Sequence, residues 1–312
     1  SGAGISLMGE FAGLAYFAEV PIVIWNIQRM GPSTGLPTRT SQGDLNQAVY
    51  LGHGDTKHIV LLPGSASECF EFGWKAFDLA ERMQTPIFVL SDLDLGQNQW
   101  ISEPFKYPDI PMDRGKVLWE DDFEAFEAKN GDWGRYKDVD GDGIPYRTVA
   151  GNRRVGSSYF ARGTGHDAYA NYSEDPDIWM EGMNRLNTKY KTAQQYVPDA
   201  IVDNMDGASV GIIAYGSTDP AIAEARDLLE AEGLKTNYLR LRALPITDTV
   251  REFIKENDVI FVVEMNHDGQ LREILSVETP AESTKLISST LNNGLSLTAG
   301  WIRDDILAKK EI

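Results

Sequence analysis

The sequence contains a single cysteine, no long hydrophobic run and too few basic residues to balance its acidic ones. Cys69 stands alone among 312 residues. This excludes a disulfide framework within the chain, and it excludes an iron–sulfur cluster held by four thiolates of this chain. No apolar run approaches the ~20 residues that a membrane-spanning helix needs. These absences predict a protein of the reducing cytoplasm that does not enter a membrane, and they place any electron carrier on another chain.

The charge balance is strongly acidic. Asp and Glu number 47 against 29 Lys and Arg, which gives a net charge of −18. A field of that sign repels the phosphate backbone of nucleic acids, so we expect no nucleic-acid partner. Hydrophobic residues make up 42% of the chain, which is enough for a packed core. The length predicts about two domains, at ~150 residues for each.

Two stretches of the chain alternate apolar, strand-like runs with amphipathic, helix-like periods. The first contains a helix from Leu7, strands at 21–25, 58–62 and 86–90, and a helix at 68–83. The second contains strands at 210–215, 237–241 and 259–263, and helices at 219–233, 247–256 and 271–277. This alternation predicts an α/β protein with parallel sheets.

The intervening residues 96–205 show no clear period apart from a helix predicted at 177–191. So long a stretch without regular structure is unusual within a compact domain and is typical of a functional insertion. We therefore divide the chain into a first α/β domain at 1–110, an irregular insertion or linker at 111–205 packed on it, and a second α/β domain at 206–312.

A loop rich in glycine, proline and threonine follows the first predicted strand, from Arg29 to Thr40. Ligands of open α/β sheets bind beyond the carboxyl ends of the strands, which is where this loop lies. The Arg29 guanidinium offers a two-pronged donor for a carboxylate or phosphate. Ser33 and Thr38 add hydroxyl donors, and Gly31 lets a ligand approach the backbone. The alternative is a surface turn with a solvated arginine.

A second candidate site is the acidic loop at residues 138–143. Asp138, Asp140 and Asp142 occupy positions 1, 3 and 5 of an EF-hand-like pattern, with a glycine at position 6. Position 12 is Val149 instead of glutamate. The pattern predicts a partial site for Ca²⁺ or Mg²⁺; the alternative is a turn whose aspartates accept hydrogen bonds from their own backbone.

Longer strings carry a resemblance to a known family. They are SGAGISLMGE at 1–10, IWNIQRMGPSTGLPTRTSQGDL at 24–45, and shorter matches at 62–70, 138–148, 162–167 and 263–271. Together they resemble the alpha subunit of the 2-oxoacid:ferredoxin oxidoreductases, and most of all the 2-oxoglutarate type. The resemblance covers essentially the whole chain, and the run at 28–39 is its most specific part.

The resemblance implies a fold and a set of binding residues. Residues 1–110 would be the C-terminal part of a thiamine-diphosphate-binding pyrimidine domain, and residues 206–312 a domain like the C-terminal domain of transketolase. Arg29 would bind the carboxylate of the 2-oxoacid, with Thr38 contacting the same molecule. The turn formed by Ser1, Gly2 and Gly4 would lie near the cofactor ring.

The resemblance also implies an activity and partners. A 2-oxoacid, presumed from the family to be 2-oxoglutarate, and coenzyme A would be converted to acyl-CoA and CO₂ with reduction of ferredoxin. Thiamine diphosphate and Mg²⁺ would be shared with a beta subunit that holds a [4Fe–4S] cluster. The glutamate that activates the cofactor is expected upstream of Ser1. We therefore assign no catalytic residue, interpret the chain as N-terminally truncated, and expect it to be inactive alone.

Two other functions stay open from the residues themselves. One is a thiamine-dependent subunit of the transketolase or 2-oxoacid dehydrogenase beta type, which shares this order of domains. The other is a non-catalytic, calcium-dependent binding module built on the acidic loop at 138–143.

Overall fold

The computed structural model describes residues 1–310, and it confirms the α/β class. Its helices are α1 Gly2–Phe17, α2 Leu45–Val49, α3 Ala66–Met83, α4 Leu93–Gln97, α5 Phe123–Asn130, α6 Pro176–Thr192, α7 Asp219–Ala231, α8 Asp248–Glu256, α9 Gln270–Glu278 and α10 Ala299–Lys310. Its strands are β1 Ile22–Gln28, β2 Ile59–Leu61, β3 Pro86–Asp92, β4 Ile201–Asp203, β5 Val210–Tyr215, β6 Thr236–Leu241, β7 Ala243–Leu244, β8 Val259–Glu264 and β9 Leu286–Thr290. None of the helices within residues 1–310 is long and apolar enough to cross a membrane.

The strands form two sheets. The first has the order β1-β3-β2-β7, and the second has the order β4-β6-β5-β8-β9. Neighbouring strands are parallel except that β7 is antiparallel to β2 and β4 is antiparallel to β6. Strand β7 follows β6 of the second sheet after one residue, yet it completes the first sheet. The backbone thereby joins the two sheets at this point.

Helix α3 covers the first sheet, as its sequence period predicted. Its first turn is capped by Ser65, whose hydroxyl accepts a hydrogen bond from the Glu68 N–H at 3.2 Å. Phe72 and Met83 lie on its buried face and pack into one core with β2 and β3. Burying a side chain of this size stabilises the fold by about 1.5–3 kcal/mol, so this face fixes the helix on the sheet.

Strand β1 is longer and more exposed than its sequence predicted. The apolar run at 21–25 predicted a strand buried on both faces, but Val23 and Trp25 are only partly buried. The reason is topological, because β1 is the edge strand of its sheet. The opposite face is buried from Ile24 onward and carries two amides, Asn26 and Gln28, so polar side chains reach the carboxyl end of the strand.

Helix α1 buries a different face from the one that its period predicted. Leu7, Phe11 and Leu14 recur at helical spacing, yet they are 88%, 71% and 42% exposed. The helix instead packs through small and medium residues, among them Ile5 and Ala12. Both faces of α1 are apolar, so the spacing predicted a helix but could not select its buried side. An apolar face is left exposed in this chain.

The middle segment packs onto the first region through a buried cluster of charges. Glu19 is 1% exposed, and its carboxylate accepts hydrogen bonds from Arg185 at 3.1 Å and from Lys189 at 2.7 Å. Arg135 donates to the Glu19 backbone carbonyl at 2.9 Å. Burial alone would raise the pKa of the Glu19 carboxyl, but Arg185 and Lys189 reverse this effect and hold it well below its usual range.

A second buried ion cluster connects the two sheets. The carboxylate of Glu68 on α3 accepts hydrogen bonds from Arg240 at 2.9 Å and from Arg242 at 2.7 Å. Arg240 lies in β6, and Arg242 lies between β6 and β7. Burial acts to raise the pKa of the Glu68 carboxyl, but hydrogen bonding to Arg240 outweighs it and the pKa is lowered. The carboxylate is therefore charged and ties α3 to the second region.

Candidate active site

The predicted substrate loop begins directly at the end of β1, where Gln28 pairs in register with Asp92 of β3. The base of the loop is closed by a hydrogen bond from the Met30 N–H to the Arg39 carbonyl at 3.0 Å. Met30 follows Arg29 and Arg39 follows Thr38, so this bond brings the two neighbouring backbone segments together. The two residues on which the prediction depends are thus brought to the same end of the loop.

The side chains of the loop are available to a ligand. Arg29, Gly31, Ser33 and Thr38 are all exposed. Within residues 1–310, neither the Arg29 guanidinium nor the Thr38 hydroxyl has a hydrogen-bond or ion-pair partner. Ser33 has a φ of +53°, a left-handed conformation that is uncommon for a residue with a side chain. Such conformations are held in place by their surroundings and cluster at ligand sites.

The predicted cofactor turn lies at the start of α1. Ser1 is its N-cap residue, and a Cβ on Gly2 would lie only 2.5 Å from a carboxylate oxygen of Asp44. The turn therefore needs glycine at this position because Asp44 approaches its backbone. At Gly4, by contrast, no described atom lies within 4 Å of an added Cβ. The exposed side of the turn at Gly4 is open to a flat ligand.

Asp44 joins the cofactor turn to the end of β1. Its carboxylate accepts a hydrogen bond from the Asn26 amide at 2.9 Å, and its backbone N–H donates to the Gln28 side chain at 3.1 Å. Burial raises the pKa of the Asp44 carboxyl, while the Asn26 bond acts in the opposite direction. Among residues 1–310, no hydrogen-bond partner is present for the buried Asn26 Oδ1. Asp44 places the turn beside the strand from which Arg29 projects.

Neither Asp44 nor Asn26 was predicted from the sequence to be part of this site. The sequence did give one indication for Asn26, because a polar amide within an otherwise apolar strand is unusual. Asp44 lay inside the string at 24–45 that carried the family resemblance, but nothing in its local pattern indicated a contact with the start of α1. That contact arises only from the fold.

The acidic loop at 138–143 does not bring its aspartates together around a cation. The carboxylates of Asp140 and Asp142 form ion pairs with Lys116, with distances from the Lys116 Nζ to the carboxylate oxygens of 2.7 and 2.8 Å. Asp138 accepts backbone N–H groups of its own loop, among them Gly143 at 2.7 Å. Within residues 1–310, no group of three His, Cys, Asp or Glu side chains could hold a metal ion. The expected Ca²⁺ or Mg²⁺ site is therefore not formed among the described residues, because two of its aspartates pair with Lys116 and the third accepts backbone N–H groups.

Known proteins are similar to this chain in sequence and fold. A family model described as pyruvate flavodoxin/ferredoxin oxidoreductase, thiamine diP-bdg, matches residues 1–110. The 2-oxoglutarate synthase subunit KorA of Methanothermobacter thermautotrophicus is 31% identical over 92% of this chain and 73% of the relative. The chain belongs to the alpha subunits of the 2-oxoacid:ferredoxin oxidoreductases. The thiamine-diphosphate-binding fold predicted for the first region is confirmed by the family match.

Other members of the family are longer than this chain. Subunit alpha of 2-oxoacid:ferredoxin oxidoreductase 2 from Aeropyrum pernix is 36% identical over 89% of this chain but only 42% of its own length. A solved 2-oxoglutarate:ferredoxin oxidoreductase from Magnetococcus marinus, with 2-oxoglutarate, coenzyme A and succinyl-CoA bound, matches with a TM-score of 0.86 and 29% identity. The match covers 99% of this chain and 52% of that one. The chain thus spans about half the length of these two relatives.

Membership of this family decides between the functions that the residues left open. It supports the oxidoreductase over a transketolase or dehydrogenase beta-type subunit. The pairing of Asp140 and Asp142 with Lys116 counts against a calcium-dependent binding module built on this loop.

Proposed function

We propose that this chain is the substrate-binding part of an enzyme that converts 2-oxoglutarate and coenzyme A to succinyl-CoA and CO₂ while reducing ferredoxin. The observation that carries the proposal is the exposed, unpaired Arg29 at the carboxyl end of β1, in a loop closed beside Thr38. The solved relative that matches nearly the whole chain has 2-oxoglutarate and coenzyme A bound, which supports this choice of substrates.

Arg29 binds the substrate carboxylate in this proposal. A guanidinium presents two parallel N–H donors that match the two oxygens of a carboxylate. The Thr38 hydroxyl donates to an oxygen of the same molecule, with Ser33 and the Gly31 backbone on the other side of the loop. The net charge of the chain is negative, so most of its surface repels a carboxylate. The unpaired cation of Arg29 attracts the substrate carboxylate to this point. The contribution to catalysis is orientation of the 2-oxo carbon.

The turn at Ser1, Gly2 and Gly4 fits one face of thiamine diphosphate. The open side at Gly4 leaves room for a flat ring, and the contact of Asp44 with Gly2 holds the turn in position. When bound, thiamine diphosphate supplies the carbanion chemistry that allows a 2-oxoacid to lose CO₂. The protein's part at this turn is to hold the ring beside the loop that binds the substrate.

The rest of the assembly lies outside this chain. A beta subunit supplies the other half of the cofactor site, the Mg²⁺ and the [4Fe–4S] cluster, and ferredoxin accepts the electrons. The subunit-alpha names of the relatives support a multi-subunit enzyme. The single cysteine agrees with a cluster on a partner and with a reducing cytoplasm. We keep the domain limits 1–110, 111–205 and 206–312, and the transketolase-like second domain, as proposals.

The test is the kinetics of the assembled enzyme with Arg29→Ala. A charge-assisted hydrogen bond contributes about 1.5–3 kcal/mol, so kcat/KM for 2-oxoglutarate should fall by about ten- to a hundredfold. Arg303→Ala is the matched control, because Arg303 lies on α10 and pairs only with the adjacent Asp304 among the described residues. Ferredoxin reduction that depends on 2-oxoglutarate and coenzyme A measures both variants.

The assay also tests the substrate. The same enzyme should reduce ferredoxin faster with 2-oxoglutarate than with pyruvate at equal concentration. Equal kcat/KM in the wild type and Arg29→Ala would remove Arg29 from the site. A complex that uses only pyruvate would refute the 2-oxoglutarate assignment.

A further inference from the structure

A short segment follows the substrate loop and crosses to the second region of the chain. We call residues 40–44 the anchor segment; it ends at Asp44, immediately before α2. Thr40, Ser41 and Gln42 are 7%, 2% and 0% exposed, although the loop before them is exposed. The chain therefore passes from a ligand-accessible surface directly into a fully buried contact.

Gln42 makes that contact with every polar atom of its side chain. Its Nε2 donates to the Tyr215 carbonyl at 2.8 Å, and its Oε1 accepts from the Met265 N–H at 2.9 Å and from the Thr218 hydroxyl at 3.4 Å. All three partners belong to the second region, at the ends of β5 and β8 and in the turn before α7. The side-chain amide is thus inserted between two strand ends of the second sheet.

The Gln42 backbone is held by the same elements. Its N–H donates to the Met265 carbonyl at 2.7 Å. Its carbonyl accepts from the Tyr215 hydroxyl at 3.2 Å and from the Asn266 amide at 3.1 Å. A buried residue with all its polar groups paired in this way has one conformation available. This position is fixed by the second region and not by the sheet that carries the substrate loop.

The second region is shaped around this residue. Gly216, at the end of β5, has a φ of +62°, and a Cβ at this position would lie 3.0 Å from Gln42 Nε2. Glycine satisfies both the left-handed conformation and the close approach. A second contact lies farther along the chain, where a Cβ on Gly294 would lie 2.8 Å from the Arg39 Cβ. The substrate loop itself therefore rests on the second region.

The two ends of the anchor segment meet the two binding elements. At its start, Thr40 follows Arg39, whose carbonyl closes the base of the substrate loop through Met30. At its end, Asp44 contacts the backbone of Gly2 in the cofactor turn and the side chain of Gln28. Gln42 lies between them, two residues from each.

We propose that Gln42 is a positioning residue that sets the substrate loop and the cofactor turn relative to each other, using the second region as its support. The inference rests on the proposed function of Arg29 and the turn at Gly2. The role of the second region in this chain is then to hold the site rather than to contact substrate. Gln42 touches neither the substrate nor the cofactor, and it acts through Arg29 and Asp44.

Two variants in the assembled enzyme test the proposal. Gln42→Ala removes the amide, and Tyr215→Phe removes only the hydroxyl that donates to the Gln42 carbonyl, with little change in packing. Tyr215→Phe loses one hydrogen bond and should raise KM for the 2-oxoacid about two- to tenfold, with a smaller effect on kcat. Gln42→Ala loses three side-chain bonds and should raise KM by at least as much. Hydrogen exchange of the peptides covering residues 29–44 should become faster in both variants. Tyr215→Phe keeps the test informative if Gln42→Ala does not fold.

The control is Asn257→Ala. Asn257 is a buried amide of the second region that bonds to Asn237 and to the Phe253 carbonyl, away from the anchor segment. Its loss should lower stability without changing KM or the exchange of residues 29–44. Suppose that Arg29→Ala raises KM, as the proposed function requires. The proposal for Gln42 is then overturned if Gln42→Ala and Tyr215→Phe behave like Asn257→Ala either in KM or in the hydrogen exchange of residues 29–44. If Arg29→Ala itself leaves KM unchanged, it is the proposed function that fails.

Discussion

At the scale of single residues, the buried carboxylates Glu19 and Glu68 are paired with cations, whereas the Arg29 guanidinium lies at the surface without a partner among residues 1–310. Glu19 and Glu68 are each surrounded by two or more cations that connect separate parts of the chain. Such groups stabilise the fold only while their partners remain, because an isolated buried charge is costly. The Arg29 guanidinium forms no ion pair within residues 1–310, and this supports the proposal that it binds a ligand.

Glu19→Gln should destabilise the chain at neutral pH. Removing the carboxylate leaves Arg185 and Lys189 buried without it, and breaking a buried pair costs about 3–5 kcal/mol. The pKa of the Glu19 carboxyl is about 4.5 in the unfolded chain and is lowered in the folded state. Just below pH 4.5, the unfolded chain therefore takes up a proton at Glu19 while the folded chain does not. The free energy of unfolding therefore falls as the pH drops below about 4.5.

Urea unfolding at pH 7 and pH 3.5 measures both effects. The wild type should lose stability between these pH values, and Glu19→Gln should lose less over the same interval. Glu174→Gln is a suitable control because Glu174 is exposed. A Glu19→Gln variant as stable as the wild type at pH 7 would contradict the structural account of this cluster.

At the scale of elements, helix α1 combines the predicted cofactor turn with an exposed apolar side. Its N-terminal turn carries the candidate cofactor site, and one of its sides exposes Leu7 and Phe11. Isolated exposed apolar residues are ordinary, but a row of large ones on one helix face indicates a partner. In the proposed assembly, a beta subunit completes the cofactor site and so approaches this turn. We therefore assign the exposed face of α1 to that subunit.

The variant Leu7→Lys/Phe11→Lys should leave this chain folded and prevent assembly. Both side chains are exposed, and lysine is a good helix former, so the melting temperature of the isolated chain should not change. Burying these two side chains at an interface contributes about 1.5–3 kcal/mol each, so the dissociation constant for the beta subunit should rise about a hundredfold or more.

Val277→Lys provides the matched control, because Val277 lies on α9 and is 69% exposed. Co-purification and light scattering measure the assembly of each variant. Normal assembly of the double variant would show that another surface meets the partner.

Sequence predicted the elements that signal themselves locally. Strand β3 and helix α3 have long apolar patterns with clear ends, so both were found with nearly the correct bounds. Strand β7 has only two residues, and β9 contains three serine and threonine residues among five; neither has a period to detect. Both strands form because neighbouring strands supply their partners.

The residues of the candidate site likewise fall into those that the sequence could predict and those that it could not. Arg29 and Thr38 could be found because a loop of unusual composition follows an apolar strand. Gln42 could not, since its partners lie 173 to 224 residues away in the chain. Asp140 and Asp142 show the opposite error, because their spacing indicated a bound metal ion while Lys116, outside the pattern, supplies the positive charge.

At the scale of the whole molecule, the second region supports the site that the first region presents. Strand β7 joins the first sheet, Glu68 binds Arg240 and Arg242, and Gln42 is buried between β5 and β8. These three connections join the second region to the first region, from whose sheet Arg29 projects. In the proposed enzyme, the whole chain therefore supports a binding loop and a cofactor turn, and a partner subunit completes the site.

The most direct test of this account is the dissociation constant of 2-oxoglutarate for the assembled enzyme, measured by calorimetry without coenzyme A or ferredoxin. With Arg29→Ala, the loss of a charge-assisted contact should raise this constant about tenfold or more relative to the wild type. Equal dissociation constants for the two proteins, with both shown to be folded and assembled, would contradict the claim that Arg29 binds the substrate carboxylate.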